Sequence, residues 1–314
     1  MNPDELMIFS GSASRRFAAK VCSYLGTNMR KSETMVFSDG NTFVRVLENV
    51  RGRDVFIIQS VTHKSNDFFM ELLFYIDAFK RSSANSVTVV VPYFGYGKGD
   101  KKDEPRVSIR AKVCADAVEA AGADRLVTMD LHAPQIQGFF RNPVDNLYGH
   151  PTLCDRLKDL VTGDLVVVAP DTGFADESRL FADYLGCSVA IGDKQRTGHD
   201  EKAHVLDIIG NVKGRTAVIV DDFIVSGGTL VDVARRLSEK GAVRILATAS
   251  HGVFSKGSMA KLDESPIETV VVTDTIETHT ETFSPKIEVV SAANCFGEAI
   301  KRIHLRESIS AMFP

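Results

Sequence analysis

Short apolar runs rich in β-branched residues recur along the chain, and most lead into stretches whose apolar positions repeat every three to four residues. Met7 to Phe9 passes through Ser10-Gly11-Ser12 into a helical pattern ending near Leu25. Val55 to Ile58 precedes an amphipathic stretch from Asp67 to Phe79, and Val87 to Val91 precedes a glycine-rich loop and a helix from about Ile109 to Ala121. Leu126 to Met129 is a further strand. Leu165 to Val168, a helix from about Glu177 to Leu185, and Val189 to Ile191 follow, then Ala217 to Val220, Ile245 to Ala247 and Val270 to Val272. Runs this short and this apolar fit strands buried on both faces, and their alternation with helices predicts mostly parallel sheets flanked by helices, an α/β fold.

Val218 to Leu230 is the stretch around which the rest is organised. Asp221 and Asp222 stand where the apolar run ends, Ser226-Gly227-Gly228-Thr229 makes a turn, and Leu230, Val233, Ala234 and Leu237 then repeat with helical spacing. Glycine lets a backbone approach a ligand closely, and the free N–H groups of a helix start favour a phosphate. Carboxylates just upstream accept hydrogen bonds from sugar hydroxyls or hold a divalent cation. One stretch thus offers an anion cradle and a hydroxyl clamp, which suits a sugar phosphate.

Gly122-Ala123-Asp124-Arg125-Leu126-Val127 echoes Gly241-Ala242-Val243-Arg244-Ile245-Leu246, and His132 and His251 fall at the same offset from them. Each block follows a helix that follows an apolar strand, so the chain reads as two related α/β domains, with a boundary near His150-Pro151. The expected ranges are 1–150 and 151–305, with the tail 306–314 packing back on the first domain. The first domain has Pro92-Tyr93 where the second has its acids, so it should not hold a sugar phosphate in the same way.

Length, charge and cysteine usage narrow the class. A chain of 314 residues exceeds one ordinary core, and a net charge of −4 gives no electrostatic reason to expect nucleic acid or a membrane surface. The five cysteines are scattered without a C-x-x-C pair, which reads as buried thiols in a reducing compartment. No apolar run reaches membrane-span length and the first residues lack the basic and apolar regions of a signal peptide, so the expected location is cytoplasmic.

Other stretches carry candidate chemistry. Phe37-Ser38-Asp39-Gly40-Asn41 is a polar turn after a short strand. Pro92 to Lys102 sets aromatic rings beside glycines and three lysines, a combination that can hold a purine and its phosphates. Asp130 and His132 lie two apart at a strand end, which in an extended segment puts both on one face. Asp171 follows a strand at the position where α/β sheets place ligand groups. Gly192 to His199 is polar, cationic and glycine-bracketed, as a flap closing positive charge over a developing anion would be.

The acidic stretch resembles the loop shared by type I phosphoribosyltransferases and phosphoribosyl-diphosphate (PRPP) synthases. Phe37-Ser38-Asp39-Gly40, Phe56-Ile57-Ile58-Gln59-Ser60, Pro92-Tyr93-Phe94-Gly95-Tyr96, Asp130-Leu131-His132-Ala133, Pro143-Val144-Asp145-Asn146 and Ser308-Ile309-Ser310-Ala311-Met312-Phe313 extend the likeness to ribose-phosphate diphosphokinases over nearly the whole chain. The resemblance implies two phosphoribosyltransferase-like domains and Mg²⁺-dependent transfer of the terminal diphosphate of ATP to the anomeric hydroxyl of ribose 5-phosphate. It implies a pentose site at Asp221, Asp222, Ser226, Gly227, Gly228 and Thr229. ATP falls to Phe37, Asp39, Asn41, Lys98, Gly99, Asp100 and Lys101; His132 and Asp171 help to bind Mg²⁺; Lys194 and Arg196 are the catalytic loop cations. Members assemble into homo-oligomers, dimers or hexamers, and many respond to phosphate and ADP. Arg51, Ser82, Ser308 and Ser310 resemble parts of that regulatory site.

The chain also departs from the family pattern. The family commonly has an acid at Asn41, Arg-Gln at Lys98-Gly99, a basic residue at Gln195 and an Asp at Val225. Lysine keeps a charge but loses the planar fork of arginine. The alternative to an active enzyme is a non-catalytic regulatory homologue that binds nucleotide and assembles with an active partner.

Overall fold

The computed structural model describes residues 6–161, 163–195, 204–277 and 284–313. In chain order the strands and helices are β1 (Leu6–Ser10), α1 (Arg15–Leu25), β2 (Ser32–Val36), β3 (Thr42–Val46), β4 (Asp54–Ile58), α2 (Ser65–Arg81), β5 (Ser86–Val91), α3 (Arg110–Ala121), β6 (Arg125–Met129) and β7 (Val144–Leu147). There follow α4 (His150–Leu160), β8 (Leu165–Ala169), α5 (Ala175–Leu185), β9 (Ser188–Gln195), β10 (His204–Ile209), β11 (Thr216–Ile224) and α6 (Gly228–Glu239). The last are β12 (Arg244–Gly252), α7 (Ser258–Asp263), β13 (Thr269–Thr273), β14 (Ile287–Val290) and α8 (Ala293–Leu305). The chain divides into two units: Met1–Tyr148 with Thr275–Glu277 and Ala292–Pro314, and Gly149–Asp274 with Thr278–Ser291.

The first unit is a five-stranded sheet in the order β1-β4-β5-β6-β7, every pair parallel. Alternation along β1 shows why both faces are covered. Met7 and Phe9 join Leu72, Tyr75, Ile76 and Phe79 of α2 and Val118 of α3. Leu6 and Ile8 join Phe17 and Val21 of α1 and Phe296 and Ile300 of α8. Side chains alternate across a strand, so a continuous apolar run fills two cores at once. The antiparallel hairpin β2–β3 stands apart from this sheet and rests on α2, to which Thr34 is joined through Glu71 and Tyr75.

Helix α8 belongs to this first unit, whereas the sequence grouped 293–305 with the second domain. Its reason is apolar: Ala293, Phe296, Ala299 and Ile300 are buried against α1, and the Phe17 and Phe296 rings meet edge to face with centroids 5.3 Å apart. The tail follows it, with Ile309, Met312 and Phe313 packed on the same cluster and Phe313 set edge-on to Tyr148 at 5.2 Å.

The second unit is a seven-stranded sheet in the order β10-β9-β8-β11-β12-β13-β14. It is parallel except for the β9–β10 hairpin. Ala217 and Ile219 of β11 pack with α6, while Val218 and Val220 pack with α4 and α5. The echo in sequence has a counterpart here. Within their own sheets, β4-β5-β6-β7 and β8-β11-β12-β13 follow the same order, so that β5 corresponds to β11 and β6 to β12 in the repeat.

β11 outlasts its apolar run. It continues through Asp221, opposite Ala249, to Phe223 opposite His251 and Ile224 opposite Gly252. Phe223 and Ile224 are 8% and 2% exposed, so burial carries the ladder past the two acids that were expected to close it. The turn is correspondingly shorter, and α6 begins at Gly228 rather than near Leu230.

Candidate active site

The acids and the turn of the second unit meet where β11 gives way to α6. Asp222 is 8% exposed and Asp221 half-buried. The Asp222 N–H donates to Asp221 Oδ1 at 3.0 Å, and the Phe223 N–H donates to Asp222 Oδ1 at 2.8 Å. Burial, and then the neighbouring Asp222 charge, push the Asp221 carboxyl well above the usual carboxylate range; Asp171 adds a smaller push. A polar or cationic ligand at this point would relieve all three effects.

Gly227 takes φ +73°, the left-handed region, which lets the chain turn directly from strand to helix. Gly228 and Thr229 then open α6, and the Gly228 N–H points back to Ser226 Oγ at 3.5 Å. In a helix the first N–H groups have no acceptor within it, so this turn presents donors and the positive end of the dipole. The turn is pinned from behind: the Ser255 N–H and Oγ both donate to the Val225 carbonyl, at 2.8 and 3.1 Å. Ser255 drew no notice in the sequence, because nothing in its surroundings signals a partner thirty residues upstream.

Asp171 leaves the neighbouring strand β8, and its Oδ1 accepts the Gly173 N–H at 2.9 Å. β9 comes up against it. A Cβ on Gly192 would lie 2.5 Å from the Pro170 carbonyl oxygen, so only glycine fits there. Lys194 follows two residues later in β9, with Val205 as its ladder partner. Arg196 lies outside the described residues.

In the first unit, the candidate nucleotide residues lie on two segments. Phe37, Asp39 and Asn41 form the exposed tip of the β2–β3 hairpin. Asn41 grips Asp39 twice, its N–H to Oδ1 at 3.0 Å and its Nδ2 to Oδ2 at 2.7 Å, which holds the Asp39 carboxyl below its ordinary range. Lys98, Gly99, Asp100 and Lys101 lie in the loop after β5, with Lys98 and Lys101 exposed. A Cβ on Gly97 would sit 3.8 Å from His132 Cβ, so this loop packs beside the end of β6. β6 stops at Met129 and Asp130 takes φ +39°, so the chain is not extended there and the expected shared face of Asp130 and His132 does not form. His132 is exposed, whereas its echo, His251, is 1% exposed inside β12.

Arg51 and Ser82 are brought together by neighbouring turns, the Gly52 N–H donating to the Ser83 carbonyl at 2.8 Å. Ser308 is held through its carbonyl by Arg302 Nη1 at 3.0 Å, and Ser310 opens a single helical turn in the tail. Among the described residues, no three His, Cys, Asp or Glu side chains are grouped to hold a metal, and no helix is long and apolar enough to cross a membrane.

Comparison with known proteins identifies the relatives of this arrangement. Residues 6–122 match the N-terminal domain of ribose phosphate pyrophosphokinase, and residues 197–314 match the phosphoribosyl synthetase-associated domain. The chain is 48% identical over 311 residues to the ribose-phosphate pyrophosphokinase of Caldanaerobacter subterraneus subsp. tengcongensis, covering 99% of this chain and 98% of that protein. It is 44% identical over 313 residues to that of Thermotoga maritima, with 99% and 98% covered. The crystal structure of phosphoribosylpyrophosphate synthetase from Mycobacterium smegmatis superposes with a TM-score of 0.91 at 35% identity, covering 96% of this chain and 99% of that one.

Proposed function

This chain belongs to the ribose-phosphate pyrophosphokinase family and transfers the diphosphate of ATP to the anomeric hydroxyl of ribose 5-phosphate, and we propose that it seats the pentose on the β11–α6 turn. The observation that carries this seat is the left-handed turn at Gly227, which delivers two buried or half-buried carboxylates and a helix start to one spot. The 5-phosphate lies on the N–H groups and hydroxyls of Ser226, Gly227, Gly228 and Thr229. Asp221 and Asp222 accept hydrogen bonds from the ring hydroxyls and so orient the anomeric oxygen.

The hydroxyl itself attacks, so no side-chain nucleophile is needed. Catalysis then rests on positioning and charge neutralisation. Lys194 and Arg196 neutralise the diphosphate in transit. Phe37, Asp39, Asn41, Lys98, Gly99, Asp100 and Lys101 hold ATP. Mg²⁺ supplies further neutralisation when bound. The residues that resemble its ligands fit it chemically: the Asp171 carboxylate would offer it a hard oxygen donor, and His132 would help to bind it.

Arg51, Ser82, Ser308 and Ser310 form an effector site for phosphate and ADP in a cytoplasmic homo-oligomer, a dimer or a hexamer. A coupled assay for PRPP across several nucleoside triphosphates, with and without Mg²⁺ and phosphate, tests this reading. It expects AMP formation that requires both ribose 5-phosphate and the metal; AMP released without the pentose would overturn it.

A further inference from the structure

Arginine is out of place at the start of α3. Arg110 is the first residue of that helix, whose first turn holds no acid, so its charge sits at the positive end of the helix dipole. It is exposed, and among the described residues it makes no hydrogen bond or ion pair. It also dictates its neighbour. A Cβ on Gly99 would fall 2.6 Å from Arg110 Nε, 2.8 Å from its Cβ and 3.3 Å from its Cγ. The tip of an arginine can swing aside, but its Cβ is fixed to the helix, so residue 99 must be glycine for α3 to start here. The helix gains no side-chain cap from this arrangement, and the chain gives up a side chain at position 99. Local rules broken without structural return mark a functional site.

We propose that Arg110 contacts the nucleotide and supplies the guanidinium that Lys98 does not. This rests on the assignment of the loop after β5 to ATP. Lys98 offers a point charge, and Gly99 has no side chain to present. Arg110 Nε lies where a side chain of Gly99 would begin, on the loop that carries the exposed Lys98 and packs against His132. Its planar fork can stack on a purine or chelate two phosphate oxygens, neither of which an ammonium does. The loop thus recovers arginine chemistry from a different backbone position, eleven residues on from Gly99 in the chain.

Arg110→Ser and Arg110→Lys test this, with KM measured for ATP and for ribose 5-phosphate, Kd for the fluorescent analogue trinitrophenyl-ATP, and Tm. The serine variant is expected to raise the ATP KM and the analogue Kd by about ten-fold, as loss of one charged contact does. The lysine variant should fall between. The KM for ribose 5-phosphate and Tm should stay at their original values. An ATP KM and analogue Kd unchanged in both variants would overturn the inference. So would a fall in Tm with both KM values rising together, which marks a structural role. If the original protein forms no PRPP, the assigned activity fails instead, and the analogue Kd alone decides the role of Arg110.

Discussion

The Asp222 N–H donates to the carboxylate of Asp221 at 3.0 Å, yet the charge of the Asp222 side chain opposes the ionisation of that same carboxylate. One neighbour both holds the group and destabilises its charged form. The ligand-free protein therefore carries a cost that a hydrogen-bond donor or cation bound there would remove.

Asp221→Asn isolates that cost. The Asp221 carboxyl is raised in the folded state, first by burial and then by Asp222. A raised carboxyl contributes stability below its unfolded value, and the contribution is lost as pH rises through the folded value. The Tm of the original protein should thus decline relative to that of the variant from the ordinary carboxylate range upward, until the folded group is fully ionised. If Asp221 contacts the reacting sugar as proposed, PRPP formation by the variant should drop by at least ~10²-fold. Thermal melting as a function of pH, with a PRPP assay, checks both.

How far the sequence reveals this site depends on whether a residue acts through its neighbours in the chain. The strand, the acids and the helix of 218–230 were legible because apolar run, charge and helical spacing lie in line. The continuation of β11 to Ile224 was not, because it depends on β12 reaching Gly252 alongside it. Asp130 carries no sequence sign of its φ of +39°. Arg110 carries no sequence sign of its closeness to Gly99, eleven residues upstream. Helix α8 was assigned by position along the chain, whereas its burial against α1 decides where it belongs.

Lys194→Ala should lower kcat by ~10²- to 10³-fold and leave the KM for ribose 5-phosphate nearly unchanged, as expected for a charge that acts on the group in transit. Steady-state kinetics with both substrates varied gives the result. An equal rise in both KM values with kcat intact would remove Lys194 from the catalytic role.

Asn41→Ala should raise the ATP KM several-fold while sparing ribose 5-phosphate. The substitution removes the Nδ2 donor that fixes Asp39 at 2.7 Å and leaves only the backbone bond at 3.0 Å. The Asp39 carboxyl should then move back toward its ordinary value, which NMR titration of that side chain would follow.

Glu71 offers a test of how the hairpin is held. Its carboxylate is 2% exposed and accepts from the Ser12 N–H at 2.9 Å, Ser12 Oγ at 2.5 Å, Thr34 Oγ1 at 2.8 Å and Gln59 Nε2 at 3.0 Å. An amide cannot accept from all of these, so Glu71→Gln should destabilise the protein by about 1–3 kcal/mol, the cost of a buried donor left unpaired. Chemical denaturation measures it.

The seat of the pentose is tested most directly by a crystal structure of the protein with ribose 5-phosphate bound. The 5-phosphate should lie within hydrogen-bond reach of the N–H groups of Gly228 and Thr229, with ring hydroxyls on Asp221 and Asp222. A 5-phosphate bound away from that turn, with both carboxylates contacting no sugar oxygen, would contradict the account.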